Sequence, residues 1–229
     1  MKILALETSA KSVSCAVTED GSVLASAYQC TGLTHSRTLM PMVEGLLQNA
    51  ELTLGDIDRI AIAAGPGSFT GLRIGIAAVK GLAWAAGKLC CAVSTLEAMA
   101  QNVRHMDALI IGAMDARRNQ IYNALFEAKG GALTRLCADR AIGLDELCEQ
   151  LKGDTRRKIV LGDGGKLCFD YLTSHGVDCT LASAQLLYQN AVGVALAAEQ
   201  YEAVSAQELA PVYLRPAQAE RLRSEKESK

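Results

Sequence analysis

The run Gly65-Pro66-Gly67-Ser68-Phe69-Thr70-Gly71-Leu72-Arg73-Ile74-Gly75 constrains the fold of this chain more than any other stretch. It follows Arg59 to Ala64, which reads as a strand, and leads into an apolar segment that runs to Ala86. Gly65 and Gly67 give the loop backbone freedom on either side of Pro66, whose ring fixes φ. Ser68 or Thr70 is placed to cap a helix, because a hydroxyl accepts from amides that a first turn leaves unpaired. A strand–turn–helix with amides aimed outward suits an anion. Gly65, Gly67 and Ser68 are therefore candidate anion or nucleotide contacts.

Two nucleotide-site templates do not fit. A P-loop has four residues between its glycines and continues Gly-Lys-Ser/Thr. Here three residues separate Gly67 from Gly71, five separate Gly65 from Gly71, and Leu72-Arg73 follows. A dinucleotide fingerprint would need its third glycine at position 70, which is Thr70.

From Leu72 to Ala86 only Arg73 and Lys80 carry charge, so the expected helix is apolar nearly all round. Gly71, Gly75 and Ala78 recur at helical spacing and leave one side almost free of side chains, where another backbone can approach closely. Each glycine costs roughly 1 kcal/mol against alanine, which packing has to offset. Burial in the chain's own core and cover by a partner both account for such a helix. A membrane span does not, since the stretch falls short of about 18 residues and holds two charges.

The Gly65–Gly75 run resembles, almost residue for residue, the signature of the bacterial TsaB (YeaZ) family. Agreement extends over about residues 1–216: the opening Ile3-Leu4-Ala5-Leu6-Glu7-Thr8-Ser9, Thr34-His35-Ser36, Val93-Ser94-Thr95-Leu96, Asp115-Ala116-Arg117 and the closing Pro211-Val212-Tyr213-Leu214-Arg215. The resemblance implies an α/β fold of two ribonuclease-H-like subdomains, of the actin, hexokinase and chaperone ATPase superfamily, with mixed sheets flanked by helices. It implies a non-catalytic partner of TsaD in making threonylcarbamoyladenosine on tRNA, with TsaE as a third protein and tRNA met only through the complex. When alone, such a chain is expected to form a homodimer through the same surface. The family's interface helices correspond here to residues 35–49 and 70–86. Interface roles carry over to Leu39, Met40, Val43 and Leu47, and to Gly71, Leu72, Arg73, Gly75, Ile76, Lys80 and Trp84. Arg73 and Lys80 share a helix edge and would rim that interface.

The remaining chemistry is sparse. TsaD carries a His-x-x-x-His metal pair on its first helix; here His35 stands alone and position 39 is Leu39, so neither a metal site nor a catalytic residue is assigned. Glu7 stands where TsaB relatives usually have Asp, and Thr8 and Ser9 read equally well as turn formers. No cofactor is expected. Net charge is −2, which gives no nucleic-acid or membrane footprint. The N-terminal apolar run is too short for a signal peptide. Eight cysteines without C-x-x-C pairing read as buried free thiols in a reducing cytosol.

With half its residues hydrophobic, the chain can bury a sizeable core. Residues 2–7, 13–18 and 23–28 read as strands, the last two joined by the hairpin turn Asp20-Gly21. His35 to Ala50 has an apolar stripe at helical spacing, with Pro41 expected to kink or start it. Cys90 to Val93 reads as a strand, and Ser94 with Glu97 as a capping box. A first subdomain is expected over 1–105 and a smaller second one over 106–216. The second repeats the opening with strands at 108–114, 121–126 and 132–137, a helix at 144–151 and a strand at 159–161. The turn Gly162-Asp163-Gly164-Gly165 follows, with Gly162 and Gly164 as further candidate nucleotide contacts. A terminal helix is expected at 185–201, packing back on the first subdomain, and a mobile tail at 217–229. Asp115 and Arg117 form either a buried loop-fixing pair or a pair with its arginine turned to the cleft.

Overall fold

The structure is a computed structural model that describes residues 1–117 and 119–215; the expected tail at 217–229 lies outside them. Strands β1 (Lys2–Glu7), β2 (Val13–Glu19), β3 (Ser22–Gln29), β4 (Arg59–Gly65) and β5 (Leu89–Ser94) form one sheet in the order β3-β2-β1-β4-β5. The hairpin strands pair antiparallel, while β4 joins β1, and β5 joins β4, in parallel. Parallel neighbours require crossovers. These are helix α1 (His35–Asn49) with a short 3-10 turn at Leu54–Asp56, and helix α2 (Phe69–Ala86).

The second half repeats this plan. Strands β6 (Ala108–Asp115), β7 (Gln120–Lys129), β8 (Ala132–Arg135), β10 (Lys158–Leu161) and β11 (Thr180–Leu181) are ordered β8-β7-β6-β10-β11, and β9 (Arg140–Gly143) pairs the far end of β7. The equivalent pairs are again antiparallel, antiparallel, parallel and parallel. Identical strand order and direction in both halves define the duplicated ribonuclease-H-like architecture. Helices α3 (Thr95–Gln101), α4 (Leu144–Leu151), α5 (Gly165–Ser174) and α6 (Ala191–Ala198) complete the chain.

The helices form layers between and outside the sheets. Leu4, Leu6, Ile60 and Ile62 point to α1 and α2, while Ile3, Ala5, Ala61 and Ala63 point to α6. Burial on both faces explains why β1 and β4 are apolar runs and do not alternate. Helix α3 lies against the second sheet, whose other face carries α4 and α5. No helix of the described residues is long and apolar enough to cross a membrane.

Local chemistry fixes the ends. Ser68 Oγ accepts from the Gly71 amide at 3.3 Å, so α2 starts at Phe69, and Gly87 ends it at φ 63°. Ser94 caps α3 through the Glu97 amide at 3.2 Å. The reciprocal half of the expected capping box is not made: the Glu97 carboxylate goes to Arg135 and Tyr201. The last helix is shorter than expected, because the Asn190 side chain accepts from the Val192 amide at 2.9 Å and starts it at Ala191. Among the cysteines, Cys15, Cys90, Cys91, Cys148, Cys168 and Cys179 are buried free thiols, Cys137 is half-buried, and Cys30 is exposed, against the expectation of buried thiols throughout.

Candidate functional site

Two regions carry the candidate residues: the cleft between the halves and the outer surface of α2. The cleft holds about 500 Å³ and is lined by the turn after β1 (Ser9, Ala10, Lys11), the glycine loop (Gly67, Ser68, Phe69), the end of β6 with Ala116 and Arg117, and Tyr122 and Asp163.

Its floor is knitted together by the chain itself. The Ser68 amide donates to Ser9 O at 2.6 Å, and a Cβ on Gly67 would stand 2.6 Å from the same oxygen. Gly65, at φ 141°, accommodates the carbonyl of Val212 where a side chain would start, while the Val212 amide donates to Ala64 O at 2.8 Å. In the second turn the Gly162 amide donates to Leu187 O at 2.7 Å and the Gly164 amide to Ala113 O at 3.1 Å. A Cβ on Gly164 would lie 2.7 Å from the Asp115 nitrogen. The amides of Ser68, Gly162 and Gly164 are thus spent within the chain, and these glycines are explained by close backbone packing. Only Gly67 and Ser68 of the sequence-derived nucleotide candidates line the cleft.

Behind the cleft lies a buried polar cluster. Glu7 Oε1 accepts from the Ser9 amide, but Glu7 Oε2, Ser9 Oγ and Gln189 Oε1 have no hydrogen-bond partner among the described residues. Burial pushes the Glu7 carboxyl up to about 7, against the hydrogen bond from the Ser9 amide and with a further upward push from Asp163. Burial also raises Asp163, opposed by the Gln189 amide that donates to it at 3.0 Å. Asp115 and Arg117 do pair, at 3.3 Å, but the arginine side chain is 86% exposed at the cleft rim, so the pair is not the buried brace considered from sequence. His35 Nε2 lies 2.8 Å from Ala10 O, and the next turn offers Leu39, which is buried.

The helix face divides the expected interface residues by exposure. Leu39, Val43, Leu47, Leu72 and Ile76 are core residues, and Gly71 and Gly75 are buried against the chain's own β1 turn. The Thr8 carbonyl and hydroxyl occupy the space where Cβ atoms of Gly71 and Gly75 would sit, and Thr8 Oγ1 donates to Gly71 O at 2.8 Å. The glycine notch therefore admits a neighbouring strand end of the same protomer, and none of these residues presents a side chain outward. Met40, Arg73 and Trp84 are exposed, and Lys80 is half-buried.

The outward face of α2 joins Arg73 and Trp84, both named from the sequence, to Ala77, Gly81 and Ala85, which were not, beside Arg37, Met40, Pro41, Glu44 and Gln48 on the neighbouring α1. Ala77, Gly81 and Ala85 fall at i, i+4 and i+8, a signal present in the sequence but overshadowed by the glycines one face away.

Residues 211–215 cross the start of α2. Tyr213 stacks on Phe69 with centroids 4.5 Å apart, Arg73 lies 3.9 Å over the Phe69 ring and donates to Tyr213 Oη at 3.1 Å, and Arg215 donates to Ala116 O at 2.8 Å. Tyr213→Ala is expected to cost about 1–2 kcal/mol and to speed exchange of the Val212 amide. Hydrogen exchange with an unchanged Val212 amide would contradict a role for the ring stack in holding this segment.

The family model for TsaD, tRNA N6-adenosine threonylcarbamoyltransferase, matches residues 29–221. The TsaB protein of Bacillus subtilis is 35% identical over 96% of both chains. The chain belongs to the TsaB (YeaZ) family. The Haemophilus influenzae TsaB is 30% identical over 94% of both chains. The structure of YeaZ from Pseudomonas aeruginosa superposes with a TM-score of 0.79 at 28% identity, over 93% of this chain and 99% of that one. Curated TsaB members are named tRNA threonylcarbamoyladenosine biosynthesis proteins.

Proposed function

We propose that this TsaB-family chain takes part in tRNA threonylcarbamoyladenosine biosynthesis as a non-catalytic subunit that docks on TsaD. Docking uses the outward faces of α1 and α2 and holds TsaD in its active shape. TsaD would then move the threonylcarbamoyl group from its adenylate to the adenosine beside the anticodon. TsaE is the third protein, tRNA is met through the complex in the cytosol, and the isolated chain pairs with itself through the same face.

The observation that carries this reading is the exposed stripe Ala77, Gly81, Trp84 and Ala85. It is small and apolar over two turns, so another helix can approach closely, and it includes a tryptophan that is 82% exposed. The non-catalytic role is supported by His35, whose ring nitrogen is held by a backbone carbonyl, and by glycine-turn amides already used within the chain.

Nothing lies within 4 Å of a Cβ built on Gly81, so substitution there leaves the fold in place. Gly81→Ala is expected to stabilise the isolated chain by about 0.5–1 kcal/mol through helix propensity. Gly81→Arg is expected to weaken capture of TsaD by at least about 2 kcal/mol, the size of a central interface contact. Wild-type affinity in the folded Gly81→Arg variant would reject this face. The polar cleft favours a second reading, a self-sufficient ATP-dependent phosphotransferase or ATPase. Calorimetry of the isolated chain with Mg-ATP separates the two, and micromolar binding with turnover would favour the enzyme.

A further inference from the structure

Where α2 ends, its last turns, the start of β5 and residues 205–207 enclose a groove of about 520 Å³. Its walls are Ala83, Trp84, Leu89 and Ala206, with Gly81 and Gly87 leaving the mouth open, and Leu89 is 49% exposed. That volume is in the range of pockets that bury a small ligand or a large side chain with its flanking backbone. Lys80 and Lys88 stand on the rim. Lys80 Nζ donates to Gln207 O at 3.3 Å and Lys88 Nζ to Gly55 O at 2.8 Å, and no carboxylate of the described residues lines the groove. Glu208, the nearest acid in sequence, is turned back onto Ser205.

We propose that this groove receives an acidic segment of the partner protein, one bulky apolar residue entering between Trp84 and Leu89 with carboxylates meeting Lys80 and Lys88. Charge complementarity selects the occupant. Two ammonium groups stand on the rim with no carboxylate of the described residues in the lining, and an acidic segment satisfies both at once. The inference rests on the partner reading above and adds to it the chemistry of the contacting segment.

Trp84 is the only tryptophan of the chain, so labelling with 5-fluorotryptophan gives one fluorine resonance at the groove. TsaD is titrated into the labelled full chain, and into the Lys80→Glu/Lys88→Glu double variant, at low and high salt. The expected result is a shifted Trp84 resonance on binding, with the double variant binding at least about tenfold more weakly and losing most of the salt dependence. Among the described residues both lysines hold only carbonyls, so the variant should melt close to wild type. Tight TsaD binding with an unshifted resonance and an undiminished double variant would overturn the groove and leave the partner reading standing. Failure of the wild-type chain to bind TsaD at all would overturn both.

Discussion

Gly71→Ala is expected to lower stability by about 2–3 kcal/mol, a fall in Tm of about 4–12 °C for a chain of this length. On propensity alone the change would help, since alanine is favoured over glycine inside a helix by about 1 kcal/mol. The environment decides otherwise. A Cβ at Gly71 would overlap the Thr8 carbonyl oxygen, a backbone atom held at the end of β1 and unable to rotate away. Gly75→Leu should be at least as damaging, because its Cβ would meet the Thr8 hydroxyl and lie 2.8 Å from Ile62 Cδ1. Sequence reasoning would make the Gly75 change a clean interface lesion with the fold intact; the structure makes it a core lesion. Thermal melting of both variants beside Gly81→Ala is the check. A Gly71→Ala chain as stable as wild type would mean that the turn after β1 yields easily.

Wild-type stability should fall as pH rises from about 5 to 8, and Glu7→Gln should remove most of that fall. Glu7 is fully buried, and its carboxyl sits at about 7 against an ordinary value of 4.5. The folded chain therefore binds this proton more tightly than the unfolded chain does. The resulting stabilisation is complete below about 4.5 and is lost as pH climbs through about 7, for a difference of about 3 kcal/mol. The half-buried Asp163 is raised in the same direction and adds to the slope. Glutamine keeps an oxygen for the Ser9 amide while carrying no charge to bury. Urea midpoints at pH 5, 6, 7 and 8 measure the effect. Parallel curves for the wild type and Glu7→Gln would exclude Glu7 as its source.

Much of the architecture could be read from residues alone. Asp20-Gly21 and Lys129-Gly130-Gly131 mark hairpins because φ > 0 is needed there, and Asp20, Gly21, Gly130 and Gly131 all adopt it. The apolar strands and the caps at Ser68 and Ser94 follow from local chemistry, and the repeat of the opening pattern pointed to two related halves. Strands β9 and β11 escaped notice, since four and two residues without alternation carry no period.

Helix α2 shows where local pattern stopped. The sequence by itself determined that this helix is apolar nearly all round and notched by glycines, and that its family is TsaB. It also determined that helix α1 offers one histidine, not two. Only the tertiary structure decided which notch serves which neighbour. Gly71 and Gly75 take in the Thr8 turn of the same protomer, while the stripe through Ala77 and Gly81 is left to water. Helical spacing defines faces but not the direction of the core, and that direction is set by residues outside the helix, Thr8 just after β1 and Ile62 on β4.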